Sequence, residues 1–538
     1  MKKMFKLLAV TALMLAAVMM FTACDRGGNE PDPTPQPTPA ATPTPGPTTP
    51  ETTPEPTPER EVVTLRYSVP NPVRTPETHA VDALLAALYE HGFIIEFVGF
   101  ESDAYQIMIA TLETDLIAAT RWDGFFDLAP QGAFAPITRE QIQTYMPVWY
   151  SENAQFLPAA TVDGQIFAIP NNAVGINAPY LMYRTDWLPP GMDSINSMED
   201  LYDYLAHALE MYPHIIPWSM SQGMTPWQTP AMAFAYTHLM APGAPRSPSV
   251  LVLDKRDYPN FVLTRTVENE GYREFFRIMR RFHESGFTHA DSLVNPFAQN
   301  EEFWHGNTAV FNAAPHAWTN WINEQMTALW DGEVEIAVFD FGAVHNVGAD
   351  RTSAMGRGIA IPFRSADSVP DVLRLIETLY THEYLYVLWR YGVEGVDFNE
   401  LEGGVIERLD EEGRDLPAAW GPIYENVRFQ RPGANEWPGF RSFMDSIEAR
   451  EFINPFVDIL WDMGTNDLGL MRNSMTSIGQ EEIPMLGLGL HADVDTAMDN
   501  WLQRQIEAGL EEYEQEVLRQ LQEYLITTGQ THVTVRLP

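Results

Sequence analysis

Cysteine and lysine are nearly absent from the sequence. Cys24 is the single cysteine, which excludes an intramolecular disulfide and any metal site built from several cysteines. The lysines are Lys2, Lys3, Lys6 and Lys255. With 33 lysines and arginines against 73 aspartates and glutamates, the formal net charge at pH 7 is −40. A surface of this charge repels phosphate backbones and anionic membranes, so no nucleic-acid partner is expected.

Motifs of several common catalytic sites are missing as well. The phosphate-binding pattern G-x-x-x-x-G-K-[ST] and the serine-hydrolase pattern G-x-S-x-G do not occur. The thirteen histidines show no paired spacing that is typical of metal ligands. Carboxylates are abundant along the whole chain, and no pair of them stands out as an acid and a base. We therefore expect no cofactor and no bound metal.

The first 23 residues have the pattern of a secretory signal peptide. Basic residues are followed by an apolar run at residues 7–21, and then by Thr22 and Ala23, which are small. This run is short for a helix that spans a membrane, which needs roughly 20 residues. Because Cys24 follows directly, the segment resembles a bacterial lipobox, which implies that Cys24 is lipidated and begins the mature chain. An ordinary signal peptide with an incidental cysteine is the alternative.

Residues 24–61 form a segment rich in proline and threonine, PDPTPQPTPAATPTPGPTTPETTPEPTPER in its main part. Apolar side chains are nearly missing from it, so it cannot bury a core. We expect a disordered, extended tether, on the order of 90 Å for thirty residues in a polyproline-like conformation. Its expected role is to hold the rest of the chain away from a membrane surface.

The chain from residue 62 onward is apolar enough for more than one core, and it begins with an alternating β-α-β-α-β pattern. Strands are predicted at residues 62–69, 93–98 and 115–119, and helices at residues 75–91 and 105–112. The first helix has a start signal at Thr75 and Pro76 and a stop signal at Gly92. This order predicts a parallel sheet covered by helices.

Ligands of such sheets bind beyond the carboxyl ends of the strands. Arg121, Trp122 and Asp123 follow the third predicted strand directly. They combine an aromatic ring with two planar charged groups, so we expect them at the mouth of a binding site.

The segment at residues 161–188, TVDGQIFAIPNNAVGINAPYLMYRTDWL, decides the domain organisation. It contains two apolar runs joined by a polar turn with Asn171 and Asn172, and alone it is typical of a hairpin. The α/β pattern restarts after it, and GIAIP at residues 358–362 repeats the strand and turn of IFAIP. We therefore interpret the segment as a crossing between two lobes, with both asparagines at the floor of a cleft. On this interpretation, replacing either asparagine by alanine weakens ligand binding more than folding.

Further elements follow the same reasoning. A helix capped by Ser197 is predicted, and so are helices at residues 275–282, 370–380, 383–391 and 495–525 and strands at residues 165–169 and 308–311. The last residues, 532–537, are predicted to be a frayed end. Residues 403–438 carry Trp420 and Trp437 but show no pattern that can be assigned. The arginines at residues 273–281 indicate a solvated helix face, with a docking surface as the alternative.

Several of these segments together resemble the extracellular solute-binding proteins of bacterial ABC importers, of the sugar-binding kind that includes maltose-binding protein. In chain order they are TDLIAA, GAFAPIT, VDGQIFAIP with LMYRTDWL, SINSMEDLYDYL, GNTAVFNAAPHAWTNW, and the segments at residues 375–395 and 506–525. Their shared order and spacing extend over most of residues 62–525. Residues 403–438 depart from the family pattern.

The resemblance implies an α/β, two-lobed, periplasmic-binding-protein-like fold of type II, with a ligand cleft between lobes that close about a hinge. Lobe 1 would comprise residues 62–171 and 358–402, and lobe 2 residues 176–353 and 405–538. It further implies a monomer that performs no chemistry. Such a protein, lipid-anchored on the extracellular face of a Gram-positive type of cell membrane, would capture an oligosaccharide or related small solute for the transmembrane subunits of an ABC permease. A secreted glycoside hydrolase and a peptide-binding protein of the same fold are the alternatives.

A sugar site needs aromatic rings that stack on pyranose faces and planar polar groups that bridge hydroxyls. The predicted ligand-binding residues are Arg121, Trp122, Asp123, Asn171, Asn172, Gln222, Trp227, Trp318 and Glu394. Trp218 is the alternative to Trp227, and Trp420 and Trp437 are further candidates. Trp318 lies where the resembling family places a cleft tryptophan, and Glu394 lies in the turn YGVEG.

Overall fold

The computed structural model describes residues 62–70, 79–100, 113–119, 124–172, 175–178, 180–219, 237–240, 250–293, 299–313, 317–330, 332, 334–409, 424, 426–459, 461 and 468–538. The predicted signal peptide, Cys24, the Pro/Thr-rich tether and the predicted helix at residues 105–112 lie outside these ranges. Within the described ranges, no helix is both long and apolar enough to cross a membrane.

The helices and strands of the described ranges are numbered in chain order. The α-helices are α1 His79–Glu90, α2 Phe125–Leu128, α3 Arg139–Tyr145, α4 Pro147–Asn153, α5 Met198–Met211, α6 Glu270–Glu284, α7 Gln299–Trp304, α8 Ala317–Leu329, α9 Phe341–Val344, α10 Val369–Thr381, α11 Glu383–Arg390, α12 Phe440–Glu448, α13 Leu468–Gly487, α14 Val494–Glu507 and α15 Leu510–Thr527. The strands are β1 Val63–Pro70, β2 Phe93–Phe100, β3 Leu116–Ala119, β4 Thr161–Val162, β5 Gln165–Ile166, β6 Ala168–Pro170, β7 Ile176–Asn177, β8 Tyr180–Arg184, β9 Thr237–Met240, β10 Leu251–Asp254, β11 Asn260–Arg265, β12 Val310–Ala313, β13 Ile336–Asp340, β14 Ala349–Arg351, β15 Gly358–Ala360, β16 Phe398–Leu401, β17 Val405–Arg408, β18 Glu451–Phe452 and β19 Thr534–Arg536.

The first sheet contains five strands in the order β2-β1-β3-β15-β6. β1 runs parallel to β2 and β3, which confirms the parallel pairing predicted for the start of the chain. β15 runs antiparallel to both β3 and β6. The predicted strand at residues 165–169 is therefore only partly correct: β6 joins this sheet, whereas β5 pairs with β4 in a small separate hairpin.

Helices α1, α10 and α11 bury their apolar stripes against the first sheet. Leu84 of α1 and Leu373 of α10 are fully buried in one hydrophobic cluster. Trp389 of α11 belongs to the same cluster, and its ring lies 6.2 Å from Tyr67 of β1 and 6.1 Å from Phe97 of β2. α10 and α11 have the predicted positions because a 3.6-residue apolar period needs this burial to be stable. α1 agrees over residues 79–90, and its predicted start at Thr75 and Pro76 lies outside the described residues.

A second core is built on the three-stranded antiparallel sheet β12-β8-β13. Helices α5, α6 and α14 pack there, and Phe275, Met279 and Phe282 form the buried stripe of α6 as predicted. The predicted cap of α5 is also confirmed, since the Ser197 side chain accepts a hydrogen bond from the Asp200 backbone N–H. Two further sheets have the orders β19-β11-β10-β9 and β18-β14-β7.

Two predictions near the carboxyl terminus are wrong. The long helix predicted at residues 495–525 is two helices, because Gly509 between them adopts a φ of 99°, which breaks the helix and favours glycine. Residues 532–537 are not a frayed end, because β19 pairs in parallel with β11.

The arginines of α6 are held by carboxylates of the protein itself. Arg273 and Arg277 both bind Asp495 of α14, at 3.3 and 2.6 Å, and Arg281 binds Glu199 of α5 at 2.7 Å. Their guanidinium groups therefore fasten neighbouring helices together, which fits a solvated face better than a docking surface.

Candidate functional site

The carboxyl ends of several strands meet at one edge of the first sheet. In the register of the sheet, Gly358 at the start of β15 lies between Ala119 at the end of β3 and Pro170 at the end of β6. Because β1 is parallel to β3, its carboxyl end points to the same edge. This edge is the expected position of a ligand in a sheet of this kind.

Two chain segments leave this edge side by side and antiparallel. Near the first sheet, the Asn171 backbone N–H donates to the Arg357 carbonyl oxygen at 3.0 Å. Farther along, Thr352 N–H donates to the Gly175 carbonyl oxygen at 2.8 Å, and β7 pairs with β14. We call residues 170–177 the first crossing and residues 350–358 the second crossing. The hairpin alternative for residues 161–188 is wrong, since β6 and β8 belong to different sheets.

The two asparagines of the first crossing have different surroundings. Asn171 is 2% exposed, and none of the described residues donates a hydrogen bond to its side-chain oxygen Oδ1. Both polar atoms of the Asn172 side chain have hydrogen-bond partners. Nδ2 of Asn172 donates to Oδ1 of Asn426 at 3.4 Å, and Oδ1 of Asn172 accepts from the Val427 backbone N–H at 3.1 Å. Asn171 therefore keeps a buried oxygen without a donor among the described residues, and a ligand hydroxyl would reach it only after the surrounding side chains move.

The partners of Asn172 belong to residues 424–428, within the region that sequence patterns could not assign. The hydroxyl of Tyr424 donates to the Pro170 carbonyl oxygen at 3.1 Å and accepts from Nε1 of Trp149. Burial raises the pKa of Tyr424 well above its ordinary range, so the hydroxyl keeps its proton and remains a donor. Asn426 is fully buried and donates to the Tyr380 carbonyl oxygen at 3.0 Å.

Arg357 is a candidate that the sequence analysis missed. Its backbone belongs to the second crossing at the sheet edge, and its side chain is half-buried. Burial raises the pKa of Tyr67 in β1 to about 12, and the positive charge of Arg357 acts against this rise. The signal in the sequence was the arginine directly before GIAIP, a charged residue next to a predicted sheet edge.

Several predicted site residues lie outside the described residues, so their positions are not known from the structure. They are Arg121, Trp122, Asp123, Gln222, Trp227 and Trp420. Trp318 lies in the first turn of α8, after β12, but its side chain is not described.

The described tryptophan alternatives are core residues. Trp218 is fully buried, with its ring 6.1 Å from Phe282. Trp437 is 5% exposed and lies about 6 Å from the rings of Phe440 and Phe443. A ring that is covered on this scale cannot stack on a sugar, so neither tryptophan is suited to ligand contact in this conformation.

Glu394 lies in a different place from the asparagines. It is exposed and lines a groove of about 430 Å³ along α11, together with Tyr384 and Arg431. The guanidinium of Arg431 binds Glu383 at 2.8 Å and also binds Glu400, so it is neutralised within the groove. The described candidates thus form two groups, one at the crossings and one at this groove. In the described part of the chain, no cluster of three or more histidine, cysteine, aspartate or glutamate side chains could hold a metal ion.

Sequence comparisons find no protein-family model that matches the chain and no curated protein that is similar to it. Solved structures are similar in fold. The N-glycan transport solute-binding protein NgtS from Streptococcus pneumoniae has a TM-score of 0.66 at 15% identity, over 87% of this chain and 100% of its own. The ABC-transporter substrate-binding protein FusA from S. pneumoniae, in complex with kestose, has a TM-score of 0.59 at 16% identity, over 86% and 100%.

A third example is a solute-binding protein from Bifidobacterium longum infantis, described as HMO-binding and ABC-transporter associated. It has a TM-score of 0.59 at 12% identity, over 87% of this chain and 100% of its own. Likeness at this level of identity over most of both chains shows the fold, and it confirms the predicted fold class. The chain has an α/β fold that matches the two-lobed, type II fold of these solved extracellular solute-binding proteins.

Proposed function

We propose that the chain is the substrate-binding component of an ABC importer, and that it binds an oligosaccharide or a related small solute in the cleft between its lobes. The observation that carries this proposal is the likeness of nearly the whole chain to transport binding proteins. The solved complexes among them include NgtS with Man1GlcNAc and with Man5GlcNAc, and FusA with fructo-nystose. The proposed work of the protein is capture, closure and delivery to the transmembrane subunits, with no chemical step.

The lobes would be divided much as the sequence predicts, at residues 171–176 and 353–358. Buried clusters support a later third boundary than residues 402–405. Tyr424 belongs to the cluster of the first sheet, and Phe429 packs against Tyr386 of α11. Trp437 belongs to the cluster of β8 and α12. We therefore place the third boundary between Phe429 and Trp437.

The ligand would contact lobe 1 at the sheet edge. The free oxygen of Asn171 and the half-buried Arg357 support this position. Arg121, Trp122 and Asp123 remain proposed contacts because they follow β3, whose last residue lies at the same edge. Gln222, Trp227, Trp318 and Glu394 remain proposed contacts on the sequence argument.

The protein would act at the outer face of a cell membrane as a lipid-anchored monomer. This part of the proposal rests on the sequence pattern around Cys24 and on the Pro/Thr-rich tether. Replacing Cys24 with alanine should move the protein from the membrane fraction to the medium. Retention of the Cys24→Ala variant on the membrane would contradict the lipid anchor and leave the binding function unaffected.

The binding function is tested by calorimetric and tryptophan-fluorescence titration of the purified protein. The panel contains N-glycan fragments, fructo-oligosaccharides, milk oligosaccharides, unrelated peptides and divalent metal ions. We expect at least one oligosaccharide to bind, and no new reducing ends to form during prolonged incubation with it. A response to peptides with none to any sugar would reject the sugar assignment, and new reducing ends would favour the glycoside hydrolase.

A further inference from the structure

Residues 424–428 lie against the first crossing, far from it in sequence. We call this segment the strap; its residue 425 is not among the described ones. The hydrogen bond from Val427 to Asn172 joins residues 255 positions apart. The position of the strap therefore depends on tertiary structure, and no local sequence pattern predicts it.

The strap holds the residue before Asn171. The hydroxyl of Tyr424 is placed between two buried groups, the indole N–H of Trp149 and the carbonyl oxygen of Pro170. Both aromatic residues are at most 1% exposed. The Tyr424 hydroxyl therefore links Pro170 at the end of β6 to Trp149 of α4.

The strap also holds the residue after Asn171. Oδ1 of Asn426 accepts hydrogen bonds from Nδ2 of Asn172 and from the Arg428 backbone N–H, the latter at 3.1 Å. Nδ2 of Asn426 donates to the Tyr380 carbonyl oxygen. The Val427 backbone N–H donates a hydrogen bond to Oδ1 of Asn172. All the polar atoms of the Asn172 and Asn426 amides thereby have partners inside the protein.

Asn171 lies between these two held positions, and its own backbone N–H is bound to Arg357. Its Oδ1 is buried and lacks a donor among the described residues. A buried acceptor without a partner is unfavourable, and an ordered water, an ion or a ligand hydroxyl can supply the missing hydrogen bond.

We propose that Tyr424 and Asn426 are positioning residues for ligand binding. They act through the first crossing, which they hold so that Oδ1 of Asn171 accepts a hydrogen bond from a ligand hydroxyl. This inference rests on the proposed function, since it concerns the same cleft. The strap contacts the crossing directly, at Pro170 and Asn172.

The test compares Tyr424→Phe and Asn426→Ala with a matched control, Tyr204→Phe. Tyr204 is also a fully buried tyrosine. Its hydroxyl hydrogen-bonds to Arg184 N–H and the Arg184 carbonyl oxygen at the end of β8, and to the Ala309 carbonyl oxygen just before β12. It lies in the second core, away from the crossings. By calorimetry with the tightest-binding oligosaccharide, we expect a loss of affinity of about tenfold for each strap variant. The control should lower the melting temperature to a similar extent without changing affinity.

A double-mutant cycle separates positioning from general loosening. If the strap acts through Asn171, Asn426→Ala should cause little further loss of affinity in the Asn171→Ala background. Independent, additive losses would overturn the proposal. So would unchanged affinity of both strap variants, or an equal loss of affinity in Tyr204→Phe.

Amide hydrogen exchange provides a measurement that needs no ligand. The Asn171 N–H should exchange at least about tenfold faster in Asn426→Ala than in the parent protein, and should be unchanged in Tyr204→Phe. An unchanged Asn171 rate in Asn426→Ala rejects the strap as a positioning element. If no oligosaccharide binds the parent protein, the proposed function fails, and exchange still decides whether the strap holds the crossing.

Discussion

At the scale of single residues, two neighbouring asparagines with the same chemistry have different roles. Both the nitrogen and the oxygen of the Asn172 amide form hydrogen bonds within the protein. The side-chain oxygen of Asn171 has no donor among the described residues. The sequence treats them as one polar turn. Both side chains are buried, and only tertiary contacts determine which of their amide atoms find a hydrogen-bond partner.

Replacing each asparagine should therefore have different consequences for stability. Asn172→Ala should lower the free energy of unfolding by about 1–3 kcal/mol, because Asn426 and the Val427 N–H lose their partner in the interior. Asn171→Ala should change stability little and weaken oligosaccharide binding. Urea unfolding and calorimetric titration of both variants check this. Equal effects of the two variants on both quantities would return the pair to the single role expected from sequence.

At the scale of elements, the turn after α13 packs so closely against α6 that it requires a glycine. Gly489 follows α13 with a φ of 68°, and a Cβ there would lie 2.2 Å from the Met279 carbonyl oxygen of α6. Gly132 has a similar φ of 79°, but a Cβ would meet no atom within 4 Å. The two glycines thus share backbone conformation and differ in crowding.

Comparing alanine substitutions at Gly489 and Gly132 measures how much steric overlap between α13 and α6 adds to the loss of stability. Gly132→Ala should cost about 1–2 kcal/mol from the left-handed conformation alone. Gly489→Ala should cost roughly 3–5 kcal/mol, because steric overlap with the backbone of α6 is added. Denaturant unfolding measures both values. A Gly489→Ala cost no larger than that of Gly132→Ala would mean that α6 and α13 can move apart freely.

The ion pairs that join α6 to α14 should make stability depend on pH. Hydrogen bonds from Arg277 hold the pKa of Asp495 below its ordinary value. A carboxylate with a lowered pKa in the folded state stabilises the protein above its unfolded pKa, about 3.9, and this contribution disappears as pH falls through the lower folded value. Asp495→Asn should thus lower stability at pH 7 by no more than about 1 kcal/mol, because the pair is partly exposed.

The measurement is urea unfolding of Asp495→Asn and the parent protein between neutral and acid pH. The difference between them should shrink as the pH falls below about 3.9. Asp193→Asn is the control, since Asp193 is exposed and has no ion pair with the described residues. A difference that persists unchanged at the lowest pH would assign the effect to helix packing and not to charge.

At the scale of the whole molecule, the charge balance is the dominant physical feature. Acidic side chains number 73 and lysines plus arginines 33, so even complete pairing would leave 40 negative charges unpaired. Lys255, the single lysine of the described residues, is bound to Asp350 at 2.9 Å and is not free to balance the surface. Repulsion among the remaining carboxylates opposes the compact state.

Stability should therefore rise when salt is added. At about 0.1 M the Debye length is about 10 Å, which screens most of the long-range repulsion while short ion pairs persist. The melting temperature should increase between low salt and a few tenths molar sodium chloride, and this can be followed by calorimetry. A steady fall of the melting temperature with salt would mean that ion pairs such as those of α6 outweigh the repulsion.

The sequence by itself determined the elements whose stability is local. β1, β2, β3 and the described part of α1 agree with the prediction because the apolar period and the stop signal at Gly92 act over a few residues. The order of the α/β elements, with the similar strands IFAIP and GIAIP, indicated a crossing between two lobes, and the family resemblance implied the two-lobed fold. The family resemblance supplied the cleft.

Tertiary structure alone decided what depends on distant partners. β19 is ordered by β11, some 270 residues earlier, and the strap meets the first crossing across about 255 residues. Pairing between such remote segments leaves no period in either of them, because each bond depends on where the whole fold brings its partner. For the same reason, Trp218 and Trp437 could be recognised as core residues, and Asn172 as a buried structural amide, only after the chain was folded.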